Sequence, residues 1–178
     1  DVICIVDEAY IDFGGVSALP LIETYDNLLV VQTFSKSRSM AGARIGYVFG
    51  CERLIKYLND VKYSFNSYTM DQLTLVTGAA ALSDESYFQE TLKKIIATRE
   101  RVKGELRELG FTIPDSKSNF LFISHPKVAA RELFAMLREK NIYVRYFDKP
   151  RIDNMLRVTV GTDAEMDRLI ACLKEYIC

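Results

Sequence analysis

The sequence is poor in the residues that bind metals. It has a single histidine, His125, and four cysteines, at positions 4, 51, 172 and 178. Since no two of these cysteines have the spacing of a metal-ligand pair, we expect no zinc or other metal site. The sequence also predicts neither a signal peptide nor an apolar run of transmembrane length. Reduced thiols without targeting signals are typical of a cytoplasmic protein.

Neither sign of charge is in excess. Lys and Arg number 23 and Asp and Glu 24, for a net charge of -1. This balance predicts neither a nucleic-acid partner nor an acidic membrane surface. The 178 residues are 49% hydrophobic, which is enough for one large core or two small ones. An initiating methionine is lacking and the chain opens directly into an apolar strand, so we expect it to be part of something longer.

Apolar periodicity predicts an alternation of strands and helices. In the first half the predicted strands span 2–6, 28–34 and 45–49, and the predicted helices span 52–62, 69–82 and 83 to about 109. In the second half the predicted strands span 119–123, 142–147 and 156–160, with helices at 128–140 and at the C-terminus. Gly110 is suited to end the long helix, and Thr162 with Glu165 has capping-box spacing. The pattern predicts an α/β fold with a parallel sheet whose first two strands are buried on both faces, followed by a smaller α/β unit.

Two charged residues stand at the ends of the first two predicted strands. Ligands of open parallel sheets bind beyond the carboxyl ends of the strands, so Asp7 and Lys36 are expected to share a cleft. Pyridoxal phosphate requires a lysine amine for its aldehyde, an anion for its ring nitrogen and a donor for its phenolate oxygen, and Lys36, Asp7 and Tyr10 supply these. Ser35 and Arg44 are suited to hold its phosphate.

Four segments extend this interpretation along the chain. DEAYIDF (7–13), TFSKSRSMAGARIGY (33–47), VRYF (144–147) and LRVTVGT (156–162), in this order, resemble fold type I pyridoxal-phosphate aminotransferases of class I/II. The resemblance is closest to the histidinol-phosphate aminotransferase family. It implies the C-terminal portion of such an enzyme, with residues 1–88 forming part of the large, mainly parallel cofactor-binding domain and residues 89–178 forming the small α/β domain.

The resemblance also implies roles for individual residues. Lys36 is the catalytic lysine that bonds the cofactor aldehyde, Asp7 pairs with the pyridine nitrogen, and Tyr10 bonds the phenolate oxygen. Ser35 and Arg44 contact the cofactor phosphate.

The implied reaction converts L-histidinol phosphate and 2-oxoglutarate into imidazole acetol phosphate and glutamate, a step of histidine biosynthesis. Arg157 receives the substrate carboxylate, and Arg145 lies near the substrate phosphate.

The full-length enzyme is expected to be a homodimer. The upstream segments that complete the family's active site are not in this chain, so we expect the chain alone to be inactive and to bind the cofactor weakly or not at all.

Several alternatives stay open. A threonine-phosphate decarboxylase or an aromatic or broad-specificity aminotransferase shares the same residue set, and a non-catalytic fragment or interaction module is the alternative of another class. Asp7 can simply cap a turn, and Ser35 can simply satisfy local backbone. Arg145 and Arg157 can belong to structural ion pairs at a sheet edge.

Overall fold

A computed structural model of the chain describes residues 2–177. Cys178, one of the four cysteines, lies outside the described residues. The chain divides into two compact units, Asp1–Leu92 and Lys93–Cys178, each of which is described by itself below.

The first unit is built on a three-stranded sheet. Its strands and helices are β1 (Cys4–Asp7), β2 (Leu28–Thr33), β3 (Gly46–Gly50), α1 (Glu52–Phe65), α2 (Gln72–Ser83) and the first turns of α3 (Glu85–Glu108). The strand order is β1-β2-β3. β1 and β2 are parallel, and Asp7 pairs with Val31 at the carboxyl end of β1.

The prediction of a parallel sheet is confirmed for β1 and β2 and wrong for β3, which runs antiparallel to β2. A parallel return requires a crossover connection, usually a helix. The segment between β2 and β3 contains only the 3₁₀ turn Ala41–Ala43, so the chain folds straight back on itself.

Burial differs sharply between the two parallel strands. In β2 the first three residues, Leu28 to Val30, are buried as predicted. In β1 the prediction of two buried faces is wrong, because the Ile5 side chain is 64% exposed. Helix α1 also leaves its C-terminal aromatic residues in solvent, with Phe65 91% exposed.

Local hydrogen bonds explain where two helices begin and end. The Asp71 carboxylate accepts from the Thr74 backbone N–H at 2.7 Å, which starts α2 three residues after the predicted position. Gly110 adopts a left-handed φ of 87°, and the Phe111 N–H donates to the Leu106 carbonyl oxygen. This is the helix stop predicted for Gly110.

The second unit has an antiparallel sheet packed on helices. Its elements are the remainder of α3, β4 (Phe120–Ile123), α4 (Ala130–Glu139), β5 (Arg145–Tyr146), β6 (Leu156–Thr159) and α5 (Asp163–Ile177). β6 lies between β4 and β5 and is antiparallel to both. β5 has two residues rather than the predicted six. The capping box is confirmed, since the Thr162 N–H donates to the Glu165 carboxylate at 2.8 Å and the Glu165 N–H to the Thr162 hydroxyl at 3.4 Å.

One continuous core stabilises this unit. Its buried members come from α3, β4, α4, β6 and α5 and include Val102, Leu106, Leu121, Ile123, Leu133, Leu137, Leu156, Val158, Leu169 and Leu173. Of the helices within residues 2–177, none has both the length and the apolar composition needed to cross a membrane.

Candidate active site

The loop after β2 holds Lys36 between two anchored serines. On one side, the Ser35 backbone N–H donates to the Thr33 hydroxyl oxygen at 3.1 Å, and that hydroxyl lies 2.9 Å from Ser35 Oγ. On the other side, buried Ser37 donates its hydroxyl to the Asp12 carboxylate at 2.5 Å. The backbone on either side of Lys36 is therefore fixed, while the lysine side chain is left to reach a ligand.

Arg38 provides a further anchor that sequence reasoning missed. Its guanidinium carbon lies 3.9 Å from the centroid of the Phe88 ring, and its Nη1 donates to the Ala81 carbonyl oxygen at 2.6 Å. Its Nη2 lies 3.9 Å from the Glu85 carboxylate. The loop is thus attached to the end of α2 and the start of α3. No local pattern indicates this, because the partners are more than 40 positions away.

Lys36 and Tyr10 lie together where the neighbouring parallel strands β1 and β2 end, and the predicted cleft shared by Asp7 and Lys36 stays a prediction. The Lys36 Nζ is 5.4 Å from the centroid of the Tyr10 ring. Tyr10 immediately precedes the 3₁₀ turn Ile11–Phe13, and Asp12 in that turn accepts the Ser37 hydrogen bond described above. Two contacts therefore connect the loop after β1 with the loop after β2.

Asp7 is exposed at the carboxyl end of β1. One of its carboxylate oxygens accepts the Ala9 N–H at 3.0 Å, so it does cap the turn that follows the strand. A carboxylate has about four lone-pair sites, and one turn contact leaves capacity for a ligand. The turn-capping role and the predicted cofactor role are compatible.

Arg44 lies in an uncommon backbone conformation. Its φ is 56°, in the left-handed region, and Ser39 in the middle of the same loop has the same φ. The exposed Arg44 side chain donates from Nη1 to the Ala41 carbonyl oxygen at 2.8 Å. Non-glycine residues in this region are strained by about 1 to 3 kcal/mol and cluster at functional sites. The conformation supports a functional role for this loop, and the predicted phosphate contact stays a prediction.

Glu8 is a second residue that sequence reasoning missed. Its side chain is buried and accepts three hydrogen bonds, from the Ala18 N–H at 2.6 Å, the Ser17 hydroxyl at 2.8 Å and the Gln32 amide at 2.9 Å. It ties the loop after β1 to β2. The sequence feature that could have indicated Glu8 is strand alternation, since neighbouring residues of a strand point to opposite faces and Glu8 follows Asp7.

Tyr47 on β3 packs beside the same loops. Burial raises the pKa of its hydroxyl, and the nearby Asp12 carboxylate raises the pKa further, while Arg38 opposes the shift. Its ring makes edge contacts with Phe34 and Phe49.

The two predicted substrate arginines occupy the second unit. Arg145 on β5 pairs directly with Arg157 on β6. Within residues 2–177 no carboxylate lies within 4.0 Å of either guanidinium, so the structural ion pairs of the alternative do not form among these residues. The Arg157 Nε is buried and has no hydrogen-bond partner among the described residues. Like charges placed opposite each other on neighbouring strands are destabilising, which favours an anionic ligand at this position.

The sheet of the first unit and the loop that holds Lys36 indicate one class of protein, and sequence comparison identifies that class. Residues 1–173 match the family described as "Aminotransferase class I and II", and the chain therefore belongs to this family. Among curated relatives, the histidinol-phosphate aminotransferase of Lactococcus lactis subsp. cremoris (strain SK11) is 55% identical over 177 residues, covering 99% of this chain and 50% of the relative. That of Brachyspira hyodysenteriae is 53% identical over 178 residues, again over 50% of the relative. The chain spans about half the length of these relatives.

Solved structures share the fold. Histidinol-phosphate aminotransferase from Sinorhizobium meliloti, in complex with pyridoxal-5'-phosphate, is 30% identical with a TM-score of 0.84, covering 98% of this chain and 48% of that chain. The enzyme of the same name from Clostridium acetobutylicum is 23% identical with a TM-score of 0.88, covering 98% of this chain and 54% of that chain.

Proposed function

We propose that this chain is part of a pyridoxal-phosphate-dependent aminotransferase that moves an amino group between L-histidinol phosphate and 2-oxoglutarate in histidine biosynthesis. Family membership and the relatives at 53 to 55% identity support the proposal. The observation that carries it is the contact between Lys36 and Tyr10 where the parallel strands β1 and β2 end. Because the chain spans half of those relatives, the proposal concerns the full-length protein.

The donor set fits the cofactor. When bound, pyridoxal phosphate supplies an aldehyde that bonds amines, a ring that withdraws electrons and a phosphate that anchors it. Lys36 would hold the aldehyde, Asp7 the ring nitrogen and Tyr10 the phenolate oxygen. Ser35 and Arg44 would hold the phosphate, where a guanidinium forms strong charge-assisted hydrogen bonds.

Lys36 would act as the general base and then as the general acid. When it is not bonded to the aldehyde, the amine would take the proton from the α-carbon of the amino substrate and, as an ammonium group, later donate that proton. The anchored backbone at Ser35 and Ser37 confines this movement to the lysine side chain. The negative charge of Asp7 would keep a proton on the ring nitrogen, and the Tyr10 hydroxyl would donate to the phenolate oxygen.

The paired arginines would bind the anionic ends of the substrates. We infer that Arg157 anchors the α-carboxylate of glutamate or the phosphate of histidinol phosphate, and that Arg145 assists at the phosphate or the distal carboxylate. Their guanidinium groups have no carboxylate partner among residues 2–177, and this observation and the buried Arg157 Nε support the assignment. The planar fork of arginine pairs equally well with either kind of anion.

We further propose that the first unit is part of the family's large domain and that the second is its small domain. The full-length protein is proposed to be a homodimer, which the exposed aromatic residues Phe65 and Tyr68 support. A cytoplasmic location is supported by the free thiols of Cys4, Cys51 and Cys172.

The central test uses the full-length protein and its Lys36→Ala variant. We expect the substitution to abolish transamination with little change in stability, because Lys36 is a half-buried loop residue and not a member of the buried core. Lys56→Ala, an exposed lysine on α1, is the matched control and should retain activity. Borohydride reduction followed by peptide mass analysis should place the cofactor on Lys36. Activity near the wild-type level in Lys36→Ala would exclude the catalytic assignment.

A second measurement separates the proposed substrate from the related enzymes. Arg145→Ala should reduce kcat/KM for histidinol phosphate by about tenfold to a hundredfold, since a charge-assisted hydrogen bond contributes about 1.5 to 3 kcal/mol. An uncharged aromatic amino acid should be affected less. Equal losses would assign Arg145 a structural role. A wild-type preference for the aromatic substrate, or release of carbon dioxide from threonine phosphate, would favour one of the alternatives.

A further inference from the structure

Phe147 lies against both of the paired arginines. It directly follows β5, and the centroid of its ring is 5.4 Å from the guanidinium carbon of Arg145 and 5.9 Å from that of Arg157. Phe122, which pairs with Arg157 on the adjoining strand, meets the Phe147 ring edge to face at 6.2 Å. One aromatic ring therefore contacts two like charges, and its own orientation is fixed by a second ring.

Arg157 has a second aromatic neighbour. Its guanidinium carbon is 5.3 Å from the centroid of the Phe120 ring, so the group has Phe120 and Phe147 as two aromatic neighbours. A cation near a ring face is attracted by the ring quadrupole at distances up to about 6 Å. This attraction uses the π-face of the ring and leaves the N–H donors in the guanidinium plane available for a ligand.

The arrangement differs from the usual way of holding a partly buried arginine. A neighbouring carboxylate would neutralise the charge and compete with an anionic ligand for the same donors. Among residues 2–177, Arg145 and Arg157 have no such carboxylate, and the buried Arg157 Nε has no partner. Aromatic contacts restrict the two guanidinium groups without neutralising them.

We propose that Phe147 is a positioning residue that holds Arg145 and Arg157 in place for the anionic groups of the substrate. The proposal rests on the proposed function, in which these arginines bind the substrate anions. Without the ring, both long side chains gain rotamer freedom in the unliganded protein, and binding must then order them. Ordering one such side chain weakens binding by about two- to tenfold.

The first experiment needs no cofactor and no turnover. Inorganic phosphate is titrated into the purified 178-residue chain while the Nε–Hε NMR signals of Arg145 and Arg157 are followed. Wild-type protein should show saturable shifts of both signals. Phe147→Leu should raise the phosphate Kd about two- to tenfold, whereas Phe147→Tyr, which keeps the aromatic face, should bind as the wild type does.

Phe134→Leu is the matched control. Phe134 is a half-buried phenylalanine of the same unit that contacts Tyr146 and neither arginine. Its replacement should leave the phosphate Kd unchanged. Equal Kd values for wild type and Phe147→Leu would overturn the proposal, as would the absence of phosphate binding by the wild type.

A second readout does not depend on the folding of any variant. In the unliganded wild type, the ring current of Phe147 should displace the Hε resonances of Arg145 and Arg157 from the range of the exposed arginines. Arg107, which is exposed on α3, serves as the internal reference. Resonances at the reference position for both arginines would overturn the proposed contact.

Kinetics of the full-length holoenzyme complete the test. Phe147→Leu should raise the KM for glutamate about two- to tenfold with kcat nearly unchanged, because the ring acts on binding and not on the proton transfer at Lys36. A loss of kcat at constant KM would contradict the positioning role. If the wild-type holoenzyme shows no transamination, the proposed function fails, and the phosphate titration still decides the role of Phe147.

Discussion

At the residue scale, Glu8 places a carboxylate in the interior of the first unit, where it accepts hydrogen bonds from three donor groups. We expect Glu8→Ala to lower the free energy of unfolding by about 2 to 4 kcal/mol, because hydrogen bonds to charged groups contribute about 1.5 to 3 kcal/mol each and are not additive. Glu8→Gln keeps one acceptor oxygen and should have a smaller effect. Urea denaturation followed by circular dichroism measures both variants.

The control for this prediction is Glu23→Ala, which removes an exposed carboxylate of the same unit. Its effect should stay within about 0.5 kcal/mol. A similar loss for Glu8→Ala and Glu23→Ala would show that the Glu8 hydrogen bonds contribute little to stability.

Arg44 offers a second test at this scale, because its left-handed backbone favours glycine. We expect Arg44→Gly to leave the stability unchanged or to increase it by up to about 1 kcal/mol. The same change at Arg53, in the helical backbone of α1, should reduce stability by about 1 kcal/mol. Cofactor affinity of the full-length Arg44→Gly protein should fall, since the proposed phosphate contact is lost. Equal destabilisation at the two positions would contradict the strain argument.

The predictable residues of the candidate site are those fixed by local sequence. Asp7 and Lys36 follow apolar runs, so strand ends and the convergence of parallel strands were enough to bring the two loops together. Arg38 was not predictable because its partners, Ala81 and Phe88, belong to distant helices. Phe147 was missed for a similar reason, since its two arginines become neighbours only through the β5 and β6 register.

At the element scale, the C-terminal part of α3 is bound to the rest of the second unit by charge. Lys103 is buried and contacts the Glu100 carboxylate at 2.7 Å and the Asp115 carboxylate at 3.1 Å. The hydrogen bond from Lys103 lowers the pKa of Glu100, with burial opposing it, and the same lysine lowers the pKa of Asp115. Both carboxylates are therefore more acidic in the folded protein than in the unfolded chain.

These shifts fix the direction of a pH dependence. A carboxylate whose pKa is depressed on folding stabilises the fold above its unfolded pKa, and this contribution is lost as the pH falls through the folded value. We therefore expect the second unit to lose stability as the pH drops below about 4.5. The measurement is hydrogen exchange of β4 and α5 between pH 6 and 3, corrected for intrinsic rates.

Lys103→Met removes the shared partner and should make this acid-induced loss smaller. Lys127→Met, which changes an exposed lysine of the same unit, should leave it unaltered. An identical pH profile for wild type and Lys103→Met would mean that other carboxylates determine the acid sensitivity.

The helices and strands differ in how well sequence patterns predict them. Periodicity located α1, α3, α4 and α5 because an apolar face repeats along each of these helices. The antiparallel direction of β3 was not predicted, because it follows from the lack of a crossover helix between β2 and β3. The length of β5 was not predicted either, because only two of its residues pair with β6. Exposure of β1 was unpredictable because an apolar strand has the same local pattern whether or not another element covers it.

At the scale of the whole molecule, the two units differ in how completely they bury their apolar residues. The second unit has a continuous core that extends from α3 to α5. The first unit exposes many large apolar side chains, among them Phe65 at 91%, Tyr68 at 92% and Leu73 at 73%. Of the large hydrophobic residues that are exposed within residues 2–177, only Tyr143 and Tyr176 belong to the second unit.

This asymmetry predicts unequal local stability in the purified 178-residue chain. Segments with few buried apolar contacts open at a lower free energy and exchange their amide hydrogens sooner. We expect peptides from β6 and α5 to exchange slowly in deuterated buffer, and peptides from β1 and α1 to exchange faster by at least about tenfold, which corresponds to about 1.4 kcal/mol. Mass spectrometry of peptic fragments measures the exchange rates of both groups of peptides in one sample, so the two groups are compared under identical conditions. In the full-length protein, where further residues are available to cover β1, its exchange should slow while that of α5 changes little. Equal protection of β1 and α5 in the 178-residue chain would show that exposed apolar surface does not limit the stability of the first unit.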